Sequence, residues 1–535
     1  MESTKKIARS TLAIILFSLI GKILGFYREA LRAAKFGATS EMDAFVASQS
    51  ATTVISALIT AAIATTFIPS LQKAERDLGH DEKLNFTNNM LFIVSLVSIG
   101  VVILGIIFAP FLASLVTPKD KLSPEMLNLV TKLIRVTIPV IIFSSIAGVF
   151  TGYLQYEGRF AAAGAIAIPL NLVFIFYLLF LSHKGGIVGL SIASVLGVLA
   201  QILFLMPDTF RTGFKFKPAL NFSDKYVKEA AILALPILVS TAINDVNIIV
   251  NKRLAMGMEV GSTTIIDYAN KMNVMVLGVF ITAITAIIFP AMSRAFGSGN
   301  MIQGKRVMSA SVKTVLFLTV PATVGMFILA RPIVDIAFFY GKFTQQNAID
   351  TTATLRFYTL ALISISLSNV LNRVYYSISD TKTPFYIGLI NVLINVGLNV
   401  MVAHKFGTRG LACSVSIATT ISVLVSFVLL RKKIGHFGAK TYIKALIKTL
   451  MASFIMALVA LLYYPIEELV LANVSSVAST KILKLIILLI VTGLAATVYG
   501  ICLYKLGVRE IRDVVKIVKR KLNNRKAEKL TSKEN

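Results

Sequence analysis

Charged side chains sit where a membrane helix should have none. Lys22, Arg28, Glu29 and Arg32 fall in or at the end of the first long apolar run of this chain. On a helix, Arg28 and Arg32 are four apart and share one face, while Lys22 and Glu29 are seven apart and share another. A seventh such run carries Asp245, Lys252 and Arg253, an eighth Asp267 and Lys271, and a tenth Arg356 and Arg373. A charge at membrane depth costs several kcal/mol, so it faces a partner or a water-filled cavity. The surplus here is cationic. It suits an anionic cargo, above all a phosphate or pyrophosphate, which arginine grips with paired hydrogen bonds. Two plainer readings stand beside this one. Arg32, Lys35 and Arg253 lie near predicted span ends, where long basic side chains snorkel to the headgroups. Asp267 and Lys271, four apart, form a structural ion pair.

A second polar pattern is neutral. Asn391, Asn395 and Asn399 recur at helical spacing, and Asn244, Asn247 and Asn251 give the seventh run a polar side next to Asp245. Hydrogen bonding between helices accounts for such stripes. The sharper reading is a Na⁺ site of Asp245, Asn251, Asn391 and Asn395, in which the carboxylate supplies charge and amide oxygens suit the ion. No other cofactor is expected.

The elements that position these residues follow from composition. The chain has 535 residues, 56% of them hydrophobic, with a mean hydropathy of +0.78. Apolar runs long enough to span a bilayer recur along its whole length, as in a polytopic α-helical membrane protein. A β-barrel would instead alternate apolar and polar residues over short strands. The two cysteines, Cys413 and Cys502, lie in apolar runs and offer no disulfide framework. The four histidines are scattered, and no phosphate loop or nucleophile elbow occurs. About fourteen spans can be counted, near 8–34, 42–70, 87–117, 127–155, 160–182, 186–207, 226–256, 262–293, 307–331, 347–378, 384–403, 408–430, 441–464 and 479–504.

The net charge of +28 reflects orientation rather than nucleic-acid binding. One set of loops carries Lys73, Arg76 and Lys83, then Arg211, Lys215, Lys217, Lys225 and Lys228, then Arg294, Lys305 and Arg306, then Arg431, Lys432, Lys433 and Lys440. The alternate loops are poor in Lys and Arg. The basic set shares its side with both termini, which places both in the cytoplasm. After residue 505 the chain turns strongly basic, with Val508, Ile511, Val515 and Val518 at helical spacing. That tail reads either as an amphipathic helix on the anionic inner leaflet or as a solvated topological anchor.

An internal repeat organises the spans. A shift of 224 residues (252 − 28) lays Arg28 on Lys252, Gly37 on Gly261 and Asp43 on Asp267. In both copies a cationic helix end precedes a Gly loop and then an acidic residue at the start of the next span. The pairing of spans 1 and 2 with 7 and 8 implies two six-helix lobes, 1–6 and 7–12, around a central cavity, with two further C-terminal helices.

The residues also resemble a family, the MurJ (MviN) lipid II flippases of the MOP exporter superfamily. "GFYREA", "EMDAF", "TFIPSL", "FPAMSRAF", "FFYGKFT" and "YYSISDTKTP" are similar to its elements, from about residue 8 to 433. The resemblance implies fourteen helices, a cationic alternating-access cavity, and undecaprenyl-pyrophosphate-linked peptidoglycan precursor as cargo. It implies a groove for the lipid tail between spans 13 and 14. Carried over position by position, it points to Arg28, Lys22, Asp43, Lys271, Asn270 and Thr264, and to Asn251 at a sodium-associated position. One departure stands out. "SATTVISALITAAIATTF", residues 50–67, carries no charge where the family has an arginine pair.

The expected organisation is therefore an N-lobe over 1–207, a cytoplasmic linker over 208–225, a C-lobe over 226–433, a lipid-tail groove over 434–505, and a basic cytoplasmic tail over 506–535. The expected activity is that of a flippase, not an enzyme, in the bacterial plasma membrane. Lys22, Arg28, Arg32, Lys271 and Thr264 would meet the substrate. Glu29, Asp43, Asp267 and Asn270 would position cations or close gates. Partners would be lipid II or a similar polyprenyl-pyrophosphate glycan, membrane lipids and cell-wall synthesis proteins, with no nucleic acid. The rival activities are transport of another polyprenyl-linked oligosaccharide (capsule or exopolysaccharide), cation-coupled drug export, and a non-transporting cell-wall scaffold. Membrane potential or an ion gradient would drive the cycle.

Overall fold

The computed structural model describes residues 2–118, 120, 122–297, 300–472, 477–508 and 512. Among these the regular structure is helical. In chain order the helices are α1 (Glu2–Phe36), α2 (Ser40–Leu78), α3 (His80–Ile107), α4 (Ala109–Val116), α5 (Pro124–Thr137), α6 (Val140–Tyr156), α7 (Phe160–Ala165), α8 (Ala167–Phe176) and α9 (Ser182–Arg211). There follow α10 (Lys225–Met256), α11 (Ser262–Gly297), α12 (Met301–Ile328), α13 (Ala330–Phe338), α14 (Gln345–Thr359), α15 (Ala361–Ser377), α16 (Lys382–Ile434), α17 (Ala439–Leu461), α18 (Tyr463–Leu471) and α19 (Val477–Lys505). The basic tail reading, with Ile511, Val515 and Val518, lies outside the described residues.

Helix starts follow local chemistry. Thr39, Ser123, Asp224 and Asn300 each accept a backbone N–H of the following first turn, at 3.4, 3.3, 2.7 and 3.0 Å. Pro124 at the first position of α5 gives up an N–H that has no intrahelical partner there anyway. Among the described residues, ten helical stretches are long and apolar enough to cross a membrane. Two of them, Phe160–Arg211 and Lys382–Ile434, run to 52 and 53 residues, far more than the ~20 that one crossing needs. Each breaks at a glycine with positive φ, Gly186 at 53° and Gly407 at 56°. At the first break the Tyr177 hydroxyl donates to the Gly186 carbonyl at 2.6 Å, which supplies a partner that the helix has lost. Leu104, Leu235, Leu393, Phe454 and Leu489 point large apolar side chains outward, as a lipid solvent allows. The protein is an all-α, multi-pass membrane protein.

Two compact units divide the chain. The first comprises Met1–Tyr268, Phe338–Asp350 and Val392–Leu411, and the second Ala269–Ala337, Thr351–Asn391 and Ala412–Asn535. In the first, one core gathers Met42, Phe45, Leu133, Ile134 and Ile141, and another Phe67, Phe86, Tyr153 and Phe214. In the second, Met308, Val315, Leu371, Tyr375 and Leu430 pack together, while Met456, Tyr463, Ile487 and Val491 join α17, α18 and α19.

Candidate functional site

The first unit contains most of the charged residues singled out by spacing. Glu29 on α1 is buried and serves two arginines. Its Oε1 accepts from Arg28 Nη2 at 2.7 Å and Nε at 3.1 Å, and its Oε2 accepts from Arg32 Nη1 at 2.6 Å. Both guanidiniums also lie over aromatic rings. Arg28 is 5.0 Å from the Phe174 centroid, and Arg32 is 5.1 Å from Phe45 and 6.0 Å from Tyr268. A desolvated contact of this kind contributes about 2 kcal/mol.

The two arginines differ in exposure, and that separates their roles. Arg32 is 1% exposed, whereas the Arg28 side chain keeps 19% of its surface. Arg28 has surface left for a ligand. Arg32 is enclosed, and the snorkelling expected of a basic residue near a helix end does not occur. Phe45 and Tyr268 close over it, and Glu29 holds it inward. Lys35 is half-buried, and the exposed Arg253 donates to the Ser114 carbonyl at 2.6 Å. Asp267 extends the network: its carboxylate lies 3.7 Å from Lys252 Nζ and 4.0 Å from Arg32 Nη2.

Beside this network three loops meet as a clasp. Asp43, in the first turn of α2, is buried, and its carboxylate accepts from Gly261 N at 2.6 Å, Thr264 N at 2.8 Å and Thr264 Oγ1 at 2.6 Å. It therefore caps the start of α11, whose first N–H groups have no partner within the helix. Lys342 N donates to the Ala34 carbonyl at 2.8 Å, and Tyr268 packs on Phe338 and Phe343. The backbones approach so closely that side chains are excluded. A Cβ on Gly261 (φ +92°) would lie 2.6 Å from the Ala38 oxygen, and one on Gly37 (φ +66°) would lie 2.5 Å from the Lys342 oxygen. Thr264, expected among substrate contacts, has its hydroxyl committed to Asp43 and no exposed surface. Positions marked by the repeat make contacts, one between the copies and one within a copy: Asp43 holds Gly261, and Asp267 faces Lys252.

The asparagines divide differently from the expected ion site. Asn399 Nδ2 donates to Asn251 Oδ1 and, at 3.0 Å, to Asn395 Oδ1. Asn251 Nδ2 donates to Asn247 Oδ1 at 3.2 Å. Two of the three buried amide oxygens that could ligate a cation are thereby engaged, and no carboxylate belongs to the set. Asp245 is buried six residues earlier on α10, and its Oδ2 has no hydrogen-bond partner among the described residues. Asn399 Oδ1 is likewise buried without a hydrogen-bond partner among the described residues, so the amide set has a spare oxygen but no charge of its own for Na⁺. Asn391 belongs to the second unit and lines a cavity there.

Asn270, exposed, and Lys271, half-buried, also lie in the second unit, on the continuation of α11. Lys22 is half-buried on α1.

Comparison with known proteins matches the sequence and the fold of this chain to a family. The family model described as lipid II flippase MurJ covers residues 32–485. The chain belongs to the MurJ family. Relatives named probable lipid II flippase MurJ include one from Rickettsia prowazekii, 27% identical over 483 residues (89% of this chain and 95% of that protein). Another, from Vibrio cholerae, is 28% identical over 437 residues, covering 80% and 82%. Among solved structures, a lipid II flippase MurJ in an inward closed conformation shares the fold at TM-score 0.74 and 23% identity, over 92% of this chain and all of that one. A MATE multidrug transporter of the MOP superfamily shares it at TM-score 0.64 and 16% identity, over 80% and 98%. MurJ proteins are transporters, not enzymes.

Several participants were not singled out by spacing. Phe45, Phe174 and Tyr268 belong to the arginine network, and Gly341 and Lys342 to the clasp. In the sequence, "FFYGKFT" signalled Gly341 and Lys342, and "EMDAF" contained Phe45. A second charge cluster was also missed. Lys83 is 4% exposed and bonds Glu157 at 2.6 Å and Glu75 at 3.3 Å, while Tyr156 donates to Glu75.

Proposed function

We propose that this protein carries lipid II, the undecaprenyl-pyrophosphate-linked peptidoglycan precursor, from the inner to the outer leaflet of the bacterial plasma membrane. It does so by alternating access between two six-helix lobes, with fourteen crossings and both termini in the cytoplasm. Family membership supports the cargo. The observation that carries the chemistry is Arg28: a guanidinium held by Glu29 and Phe174, yet still open on one side. Lys22, on the same helix, joins it in gripping the pyrophosphate, and the family resemblance assigns Lys271 the same role. Arg32, Glu29 and Asp267 hold that grip in place from behind. The Asp43–Thr264 and Gly261 contacts form a closure that must open for release. Spans 13 and 14 take the lipid tail. Membrane potential drives the cycle, since the asparagine set offers no carboxylate for sodium and no nucleotide site occurs in the sequence.

The uncharged residues 50–67 of α2 favour one second reading, a different polyprenyl-linked oligosaccharide. One experiment separates the two. Cells depleted of their lipid II flippase are made to express this protein, and outer-leaflet lipid II is measured. Restored lipid II and growth establish the cargo. No rescue by correctly inserted protein moves the assignment to another glycan. Arg28→Ala and Lys271→Ala, expressed normally, are expected to abolish rescue, and full rescue by both would sink the pyrophosphate role.

A further inference from the structure

A groove of about 440 Å³ opens on the second unit, lined by α12, α15, the second arm of α16 and α17. Every lining residue belongs to that unit. Thr420, Leu424, Phe427, Val428 and Arg431 recur at helical spacing, so one face of α16 forms a wall. Leu424, Val428 and Ile443 make an accessible rim, 60%, 57% and 57% exposed, over a buried floor of Val312, Leu316 and Leu367. This face of α17 is not the one that meets α19. Tyr442 and Leu446 line the groove, whereas Ala445 and Ala452 pack with Leu503 of α19.

Two features define the occupant. First, the interior makes no polar demand. The hydroxyls of Ser364 and Thr420 hydrogen-bond each other at 2.8 Å, and the Tyr442 hydroxyl donates to the Phe437 carbonyl at 3.3 Å. An apolar chain packs there without stranding a hydrogen bond. From Thr420 to Arg431 the wall runs about 16 Å along the helix, close to one leaflet's share of a ~30 Å hydrocarbon core.

Second, one end is cationic. Arg431 is the one charged lining residue among the described residues, and it is exposed. Its Nη2 donates to His436 Nε2 at 2.8 Å, which leaves the rest of its N–H groups for an oxyanion. Lys432 and Lys440 add positive charge in sequence on either side of the turn, while Asp380 is engaged by Lys433. Ala439 begins α17, whose N-cap, Gly438, brings no side chain to the first N–H groups, and the helix dipole adds to the positive field. The chain's own basic tail has the same sign, so Coulomb repulsion opposes it as the occupant.

We propose that this groove holds one acyl chain of an anionic phospholipid, with the lipid phosphate at Arg431. It is a site for membrane lipid rather than for cargo. In the orientation proposed above it opens on the inner leaflet, whose anionic headgroups face the basic loops. Only the choice of leaflet rests on that reading.

The test uses the full-length protein, delipidated in detergent micelles, and native mass spectrometry. The probes are phosphatidylglycerol and phosphatidylcholine with identical acyl chains. The wild type should bind phosphatidylglycerol about five- to tenfold more tightly. Arg431→Gln should erase that preference. Lys432→Gln, the same loss of charge outside the lining, should keep it. Val428→Trp fills the groove from its rim and should weaken both lipids several-fold, with an unchanged melting temperature in lipid-free detergent. Equal wild-type affinity for the two lipids would overturn the proposal. So would equal effects of Arg431→Gln and Lys432→Gln, which would reduce the preference to diffuse surface charge. Full lipid binding by Val428→Trp would place the acyl chain elsewhere and end the proposal too. A gain in lipid binding on deletion of residues 513–535 would make the basic tail the occupant instead. None of these readouts uses lipid II, so the proposal stands or falls apart from the flippase assignment.

Discussion

Asp43 and Thr264, 221 positions apart in the chain, share two hydrogen bonds, one through the threonine amide and one through its hydroxyl. Together with the Gly261 amide they satisfy the first turn of α11 from outside. Asp43→Ala leaves these donors without an acceptor and should cost about 1–3 kcal/mol. Asp43→Asn keeps one acceptor and should fall between. Thermal unfolding of purified protein reads the stability, and outer-leaflet lipid II reads the transport. Both should decline in the order wild type, Asn, Ala. If Ala matched wild type in both, the closure would be incidental.

Arg32 and Arg28 lie one helical turn apart on the same glutamate, yet their variants should behave differently. Arg32→Ala leaves buried Glu29 with Arg28 alone and empties the space under Phe45 and Tyr268, and should destabilise by about 2–3 kcal/mol. Arg28→Ala should melt within a few degrees of wild type and fail in transport. Replacing the buried pair together, Glu29→Gln with Arg32→Met, should recover much of the stability while transport stays lost, because Arg28 is then unsupported. Melting temperatures of the single and double variants decide this. A fully stable Arg32→Ala would mean that the buried network contributes little.

Much of this arrangement was legible in the sequence, and the reason is local. Helix-forming runs, capping residues, and the shared faces of Lys22, Arg28, Glu29 and Arg32 depend on spacing alone. The repeat even marked Gly37 with Gly261 and Asp43 with Asp267. What spacing could not give was long-range partnership. Arg32 looked like a residue near a helix end, but Phe45 and Tyr268, from two other helices, enclose it. Thr264 looked available for substrate until Asp43 claimed its hydroxyl. The asparagine stripe on α16 looked like a single site, but Asn395 and Asn399 bond Asn251 while Asn391 lines a cavity of its own.

The glycines of the clasp offer a test of backbone approach. Gly261→Ala places a methyl at φ +92° and 2.6 Å from the Ala38 oxygen, so both strain and collision oppose it. Gly493→Ala, in α19, meets nothing within 4 Å and should stabilise slightly, by about 0.5–1 kcal/mol. Melting temperature and membrane yield should fall for the first and hold or rise for the second. Equal behaviour would show that the loops part easily.

Asp380 lies in the turn between α15 and α16, outside the spanning segments. Partial burial pushes its carboxyl up, but the Lys433 ammonium and the Thr383 hydroxyl and amide together hold it below the usual carboxylate range. A lowered carboxyl stabilises the fold above its ordinary pKa of about 3.8, and that contribution disappears as pH falls through the folded-state value. Asp380→Asn should therefore melt below wild type at neutral pH. The gap should stay constant from neutral pH down to about pH 5 and close only in stronger acid. A gap that changed between pH 6 and 8 would point to a different titrating group.

The amide set of Asn251, Asn395 and Asn399 makes the last prediction. Asn399 Nδ2 already occupies the oxygens of both neighbours, so a cation would have to displace those bonds without a carboxylate to compensate. Wild-type melting temperature and lipid II transport should be the same in sodium chloride and choline chloride at equal ionic strength. Asn251→Asp would put a charge among the amides. It should melt lower than wild type in choline, because a buried carboxylate lacks a counter-charge, and sodium should recover part of the loss. A sodium-dependent shift in the wild type would show instead that the amides rearrange around the ion, and would return the ion gradient to the transport cycle.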